Sequence, residues 1–176
     1  MLGTYVGLQI PQPSAGPAAS CLATGPTWTA ATVPSIPTFS SGGDIASSGA
    51  VLVAASAVGN LCVRSTDRGA SWASTAMPAG EWKRVAYGNG TFVAVAGNSS
   101  TSNLSATSAD GVTWTSRNNL PSNAYWYALA FGGGVFLAVA FSGGTGTNRL
   151  ARSADGVAWT SLTMPVAGDY REIAYG

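Results

Sequence analysis

Three carboxylates in this sequence recur in the same local setting, a Ser-x-Asp turn that is followed by glycine and tryptophan: Asp67, Asp110 and Asp155. Paired carboxylates hydrolyse glycosidic bonds, so glycoside hydrolysis is the first chemistry to consider. A carboxylate one or two residues before a turn glycine can instead accept backbone N–H groups across that turn. We therefore predict a structural role for these aspartates and no catalytic residue among them.

The remaining polar composition gives little support to catalysis. The chain has no histidine, which removes the usual base at neutral pH and the commonest metal ligand. Outside the turns, the acidic residues are few: Asp44, Glu81, Asp169 and Glu172. The seven arginines occupy no common position that would let three of them converge on one substrate. We predict that the protein is not an enzyme and uses no cofactor and no metal.

A second set of residues could bind a ligand rather than transform it. Trp82, Trp126 and Tyr170 stand at equivalent places in successive repeats. Aromatic rings offer an apolar face to a sugar, and charged neighbours can fix its hydroxyl groups. The neighbours in question are Glu81, Arg84, Asp169 and Arg171. The sequence predicts a ligand site on these residues, and packing at the start of a strand is the competing interpretation of the three rings.

These residues belong to a sequence segment that recurs four times, which we call the cassette. Its tryptophans, Trp28, Trp72, Trp114 and Trp159, are spaced 44, 42 and 45 residues apart. Between the tryptophans, β-forming residues flank short Gly-rich segments, which is typical of a strand, a two-residue turn and a second strand. Each cassette therefore contains four strands. A four-stranded cassette of this length indicates one blade of a β-propeller.

The repeats predict an all-β chain with about four antiparallel blades in a single domain over residues 1–176. Full repeats span about 43–78, 82–121 and 126–165, and segments 1–34 and 170–176 share the remaining blade. Residues 170–175 have the pattern of a first strand, and Thr4 to Gln9 that of a second strand. We expect these two segments to pair and close the ring, since closure removes open sheet edges. Two chains completing an eight-bladed assembly are the alternative.

The turn motif resembles the Asp-box, or bacterial neuraminidase (BNR) repeat, of sialidase-type propellers. The strict pattern is Ser65, Asp67, Gly69 and Trp72, while two copies are one residue shorter: Ser108, Asp110, Gly111, Trp114 and Ser153, Asp155, Gly156, Trp159. The shorter variant is similar to repeats of bacteriophage tail and other virion proteins. The resemblance implies a propeller, and a structural Asp-box on the side away from the ligand; fold alone implies no activity.

These features lead to three functional hypotheses. The main one is a non-catalytic virion structural protein, such as a tail fibre, spike or decoration domain, that binds a host glycan or another virion or host protein. The alternatives are a cellular scaffold or assembly factor that binds a protein partner, and a sialidase-like hydrolase. A net charge of +1 with scattered basic residues argues against nucleic acid. We expect a soluble chain without membrane insertion or signal peptide, located in a phage particle, and a homo-oligomer is possible.

Overall fold

The structure is a computed structural model that describes residues 43–57, 60–97, 103–121, 124–141, 150–164 and 170–175. Contacts divide the chain into two compact units, Met1–Ala30 and Ala31–Gly176, and every described residue belongs to the second. The regular structure of the described residues consists of strands alone. None of the described residues forms a helix that is long and apolar enough to cross a membrane. The prediction of a single domain stays a prediction.

Twelve strands form three sheets of four strands each. The first sheet, blade I, contains β1 (Asp44–Ser47), β2 (Leu52–Ala55), β3 (Leu61–Ser65) and β4 (Ala73–Ala76). Blade II contains β5 (Trp82–Gly88), β6 (Thr91–Ala96), β7 (Ser105–Ser108) and β8 (Thr115–Ser116). Blade III contains β9 (Trp126–Gly132), β10 (Val135–Ala140), β11 (Leu150–Ser153) and β12 (Thr160–Leu162). Each blade is an antiparallel meander, as the cassette predicts.

Two-residue turns connect the first two strands of blades II and III, as the Gly-rich segments predict. Asn89 and Gly90 have φ values of 48° and 77°, and Gly133 and Gly134 have φ values of 57° and 78°. Positive φ at both central residues is the requirement of a type I′ turn, whose twist matches that of the paired strands. Asparagine and glycine tolerate this conformation better than other residues, which explains their place in the cassette.

Successive blades interlock where their first strands end. A Cβ atom built on Gly88 of blade II would lie 2.1 Å from the ring of Phe131 in blade III. In the same way, a Cβ atom on Gly132 of blade III would lie 1.9 Å from Tyr175. Glycine at the end of β5 and of β9 thus leaves the space that an aromatic ring fills, that of Phe131 and that of Tyr175. Tyr175 therefore packs against Gly132 of blade III as Phe131 packs against Gly88 of blade II.

The blade count differs from the prediction. The described residues form three complete blades rather than about four, and they do not show ring closure. Residues 170–175 contact blade III through Arg171 and Tyr175, but they form no strand and belong to none of the three sheets. Their predicted partner, Thr4 to Gln9, lies outside the described residues, as do Trp28 and the rest of segment 1–34.

Candidate functional site

The blades present two ends with different chemistry. In an antiparallel meander, the turn between the first and second strands and the turn between the third and fourth strands lie at the same end of the sheet. The three Ser-x-Asp turns, residues 65–72, 108–114 and 153–159, are of the second kind. We call that end the turn face. The opposite end, where β1, β5 and β9 begin, is called the strand-start face.

The aspartates of the turn face bind the backbone of their own turns. Asp110 Oδ1 accepts the N–H groups of Val112 at 2.8 Å and Thr113 at 2.9 Å. Asp155 makes the same two bonds in blade III. Asp67 sits in the longer turn of blade I, where it accepts the N–H group of Ser71 at 2.9 Å and its hydroxyl group at 2.5 Å.

These hydrogen bonds stabilise the charged carboxylates. The hydroxyl and N–H groups of Ser71, with the Ser65 hydroxyl, lower the pKa of Asp67 to about 2. The N–H groups of Thr113 and Val112 lower the pKa of Asp110, and corresponding groups lower the pKa of Asp155. A general acid for glycoside hydrolysis requires a raised pKa. The electrostatics of the turn face therefore favour a carboxylate that holds a turn over one that donates a proton.

The turn face also packs one blade on the next. A Cβ atom on Gly111 would lie 2.6 Å from Val53 of blade I, and one on Gly156 would lie 2.3 Å from Val93 of blade II. Arg64 of blade I donates from Nε to the backbone oxygen of Asp110 at 2.9 Å. The glycine of each shorter turn thus fits against the second strand of the preceding blade. This contact explains why glycine follows the aspartate directly.

Two of the three turn tryptophans form a hydrogen bond back to their own turn. Trp72 and Trp159 donate from Nε1 to the oxygens of Gly69 and Gly156, at 3.0 and 3.1 Å. Trp114 differs, because its buried Nε1 makes no hydrogen bond of normal geometry. Trp114 lies beside Cys62. Burial raises the pKa of the Cys62 thiol to about 11, and the Trp114 side chain acts in the opposite direction. Cys62 is a free, buried cysteine.

The structure corrects the predicted role of two aromatic residues on the strand-start face. Trp82 and Trp126 are both 0% exposed; Trp82 lies in the core that blades I and II share, and Trp126 in the core that blades II and III share. Trp82 donates from Nε1 to the oxygen of Pro78 at 2.9 Å. A ring without exposed surface cannot stack on a ligand, so these two tryptophans pack the starts of β5 and β9. Tyr170 is half-buried.

The other predicted site residues are Arg84, Arg171, Glu81 and Asp169, and they differ in position. Arg84 and Arg171 lie together with other cationic and aromatic side chains at the strand-start face. Glu81 is exposed directly before β5, and its backbone oxygen accepts the N–H group of Gly97 at 3.2 Å. Asp169 lies outside the described residues.

Three cations and two aromatic rings meet at the strand-start face of blade III. Arg84 and Lys83 of blade II lie over the ring of Tyr127, at 5.1 and 5.9 Å from its centroid. Arg171 lies over the ring of Phe141, at 4.4 Å. The two rings are 5.7 Å apart. We call these five residues the cation–aromatic cluster; each cation is close enough to its ring for a cation–π interaction.

The predicted site lacks three members of the cluster, Lys83, Tyr127 and Phe141, and Phe141 is the one that no predicted residue adjoins in the sequence. It follows β10 directly, and its N–H group donates to the oxygen of Tyr125 at 2.8 Å, which carries the pairing of β9 and β10 one step beyond β10. The residue that follows the second strand of a blade should therefore lie on the same face as the residues that begin the first strand. The cassette contains that information, because antiparallel neighbours begin and end at the same edge.

Asp44 lies at the start of β1, on the strand-start face of blade I. Burial raises the pKa of Asp44. The N–H groups of Ile45 and Val85 and the guanidinium group of Arg84 oppose that rise, whereas the Glu172 carboxylate adds to it. Asp44, Ile45 and Ala54 line a recess of about 430 Å³. Asp44 of blade I is thus within electrostatic range of Arg84, so the carboxylates and the cations of the strand-start face are not separated from one another.

Comparison with known proteins identifies the fold class. No protein-family model and no curated protein matches the sequence. Among solved structures, the chain is similar to YCF48 bound to D1 peptide, with 13% identity, a TM-score of 0.53, and coverage of 75% of this chain and 42% of that one. A catalytically inactive virginiamycin B lyase from Staphylococcus aureus, solved with quinupristin, gives 15% identity, a TM-score of 0.61, and coverage of 79% and 46%.

A computationally designed protein, Ika4, matches at 13% identity with a TM-score of 0.56, covering 85% of this chain and 88% of the designed one. The fold is therefore that of β-propeller-like proteins, as predicted. The chain spans less than half the length of the YCF48 and virginiamycin B lyase chains. At such low identities, the likeness concerns the fold alone.

Proposed function

We propose that this chain is a non-catalytic propeller of the scaffold or assembly-factor type, which binds a partner protein at the strand-start face. The observation that carries the proposal is the cation–aromatic cluster. Tyrosine and arginine are enriched where proteins bind one another, because they combine a large contact area with directed hydrogen bonds. Arg171 is exposed, and Tyr127 and Phe141 keep part of their surface in solvent.

Two further observations support a protein partner. YCF48, a propeller-like protein to which this chain is similar in fold, was solved with a peptide bound. The turn face, in contrast, is used for packing between blades, which leaves the strand-start face as the better surface for a partner. The bacteriophage location and the glycan ligand stay predictions from the repeat, since neither the fold nor the comparisons favour them.

The proposal includes the absence of catalysis. The turn carboxylates are charged and hold backbone N–H groups. Of the carboxylates at the strand-start face, Asp44 accepts the N–H groups of Ile45 and Val85, at 2.9 and 3.3 Å. A carboxylate engaged in this way is poorly placed to act on a substrate. The test is a hydrolysis screen with aryl glycosides. Turnover by the parent that is lost in Asp44→Asn would contradict this part of the proposal.

We also propose that four blades form a closed ring in which Thr4 to Gln9 pairs with residues 170–175. Exposed apolar side chains support a further blade. Ile45 is 55% exposed, whereas Val85 and Leu129, at the same place in blades II and III, are 3% and 7% exposed. Tyr175 is 67% exposed, although its counterparts Tyr87 and Phe131 each pack on a neighbouring ring.

Disulfide cross-linking tests the closure. In blade II, Tyr87 pairs with Phe92. If residues 170–175 and Thr4 to Gln9 pair in the same register, Tyr175 stands opposite Tyr5. Directly opposed residues of antiparallel strands are close enough for a disulfide. In a background where Cys21 and Cys62 are serine, the pair Tyr5→Cys and Tyr175→Cys should cross-link within one chain. Dimers as the sole cross-linked species would support assembly between chains, and a lack of any cross-link would refute the pairing.

Partner binding is tested with two exposed arginines that differ in position. Arg171 belongs to the cation–aromatic cluster, whereas Arg152 lies in β11. A partner should be captured by the parent and by Arg152→Gln, and much less by Arg171→Gln and Tyr127→Ala. Arg171→Gln should unfold at the parental temperature because its side chain is exposed, whereas Tyr127→Ala loses three ring contacts and is compared at a temperature where it is folded. Equal capture by all four proteins would show that the partner binds elsewhere.

A further inference from the structure

Resting on the proposed function, we infer that the segment bound at the cation–aromatic cluster is an extended acidic peptide. The cluster places three cations over two neighbouring rings. Lys83 lies over one ring and Arg171 over the other, so positive charge is present on both sides of a shared apolar surface; Arg84, also over the Tyr127 ring, is within electrostatic range of Asp44. A ligand complementary to this arrangement carries at least two separated negative charges and an apolar backbone or side-chain stem between them.

The rings organise the cations before a ligand arrives. A guanidinium group held over an aromatic face loses little further freedom on binding, and its N–H groups at the edge remain directed at a carboxylate. Charge-assisted hydrogen bonds of this type are stronger than neutral ones. Arg171, which is exposed and 4.4 Å from the Phe141 ring, has the geometry for such a bond.

The spacing fits side chains on one side of an extended chain. Alternate residues of a strand lie about 7 Å apart and point in the same direction. The Tyr127 and Phe141 rings are 5.7 Å apart, each with its own cation. Glutamates at alternate positions can therefore reach the cations of both rings, while their methylene groups lie on the ring faces.

The carboxylates of the strand-start face set the orientation. Asp44, at the start of blade I, is within electrostatic range of Arg84 and of the Glu172 carboxylate. Like charges repel, so an acidic segment is directed to Lys83 and Arg171 rather than to Arg84 beside Asp44. A net charge of +1 for the chain and only three cations in the cluster make a phosphate backbone a poorer match than a few carboxylates.

The test compares defined probes by fluorescence anisotropy. We expect a labelled peptide of alternating glutamate and glycine to bind at least about tenfold more tightly than its glutamine counterpart, the effect of one charge-assisted hydrogen bond. Arg171→Gln should weaken the glutamate peptide about tenfold, and the matched variant Arg152→Gln should leave it unchanged. At about 1 M salt, where the Debye length is about 3 Å, the preference for glutamate should largely disappear.

Three results would overturn the inference. These are equal binding of the two peptides, equal effects of the two arginine variants, and tighter binding of a single-stranded oligonucleotide than of the glutamate peptide. The proposed function is judged separately, by capture of the partner. If the capture depends on Tyr127 and Arg171 but neither peptide binds, the acidic-peptide inference is wrong and the protein-binding role stands.

Discussion

Substitution of Gly111 by alanine tests how the turn face joins the blades. Gly111 has a φ of 74°, and an added Cβ would lie 2.6 Å from Val53 Cγ2. Val53 is 0% exposed, so its side chain has no free space into which it can move. Gly90 is a matched control in the same blade, because its φ is 77° and nothing lies within 4 Å of an added Cβ.

The two variants differ in one energetic contribution. Alanine in the left-handed region costs about 1–2 kcal/mol relative to glycine, and both variants have this cost. Forcing a methyl group into a packed core costs about 1–3 kcal/mol more. Gly111→Ala should therefore lower the free energy of unfolding by about 2–5 kcal/mol, and Gly90→Ala by about 1–2 kcal/mol.

Urea unfolding followed by tryptophan fluorescence measures both values. The double variant Gly111→Ala, Val53→Ala provides a further check, since removal of the valine methyl groups makes room for the new Cβ. Its loss of stability should be smaller than the sum of the two single losses. Equal losses for Gly111→Ala and Gly90→Ala, with additive behaviour of the double variant, would refute the interblade contact.

Four further predictions concern single side chains. Asp110→Ala should lower the free energy of unfolding by about 1 kcal/mol, at the low end for a lost cap because its turn is exposed, as urea unfolding will measure. The pKa of Asp67 in the folded protein is about 2, against an ordinary value of 3.8, so its charged carboxylate stabilises the fold fully above pH 3.8. This stabilisation is lost as the pH falls towards 2. The melting temperature of Asp67→Asn should therefore fall less steeply with acid than that of the parent. The Cys62 thiol, with its pKa raised to about 11, should resist a thiol reagent at mildly alkaline pH until the protein unfolds. Trp82→Ala should cost about 3–5 kcal/mol in urea unfolding, as large core truncations do, whereas an exposed binding residue would cost little.

The repeat made most of the blade architecture predictable from sequence. The glycines of the hairpin turns and the alternation of β-forming residues locate β5, β6, β9 and β10, because local backbone requirements decide them. The bonds of the Ser-x-Asp turns could also be foreseen, since they lie within a few residues of the aspartate.

The burial of Trp82 and Trp126 could not be foreseen in the same way. Pairing of β5 with β6 shifts register between Trp82 and Arg84, and pairing of β9 with β10 shifts between Val139 and Ala140, opposite Trp126. A shift of one residue reverses the side to which a side chain points. An irregularity at the first residue of a strand leaves no trace in a two-residue pattern, so the sequence left the direction of both rings open.

The cation–aromatic cluster depends on contacts between blades, which a repeat pattern does not give. Arg84 of blade II reaches Tyr127 of blade III, 43 positions later in the sequence, and Arg171 reaches Phe141, 30 positions earlier. The cassette assigns each residue to an edge of its own blade. It does not state which side chains of neighbouring blades will touch, since this follows from the angle at which the blades pack.

Chemical-shift mapping tests the central claim, that the strand-start face binds the partner, most directly. Isotope-labelled protein is titrated with the partner, or with the glutamate peptide if that binds, and backbone amide shifts are followed by NMR. The account predicts the largest shifts at Lys83, Tyr127 and Arg171, with little change at the turn aspartates Asp110 and Asp155. Shifts concentrated on the turn face, with the strand-start residues unchanged, would contradict it.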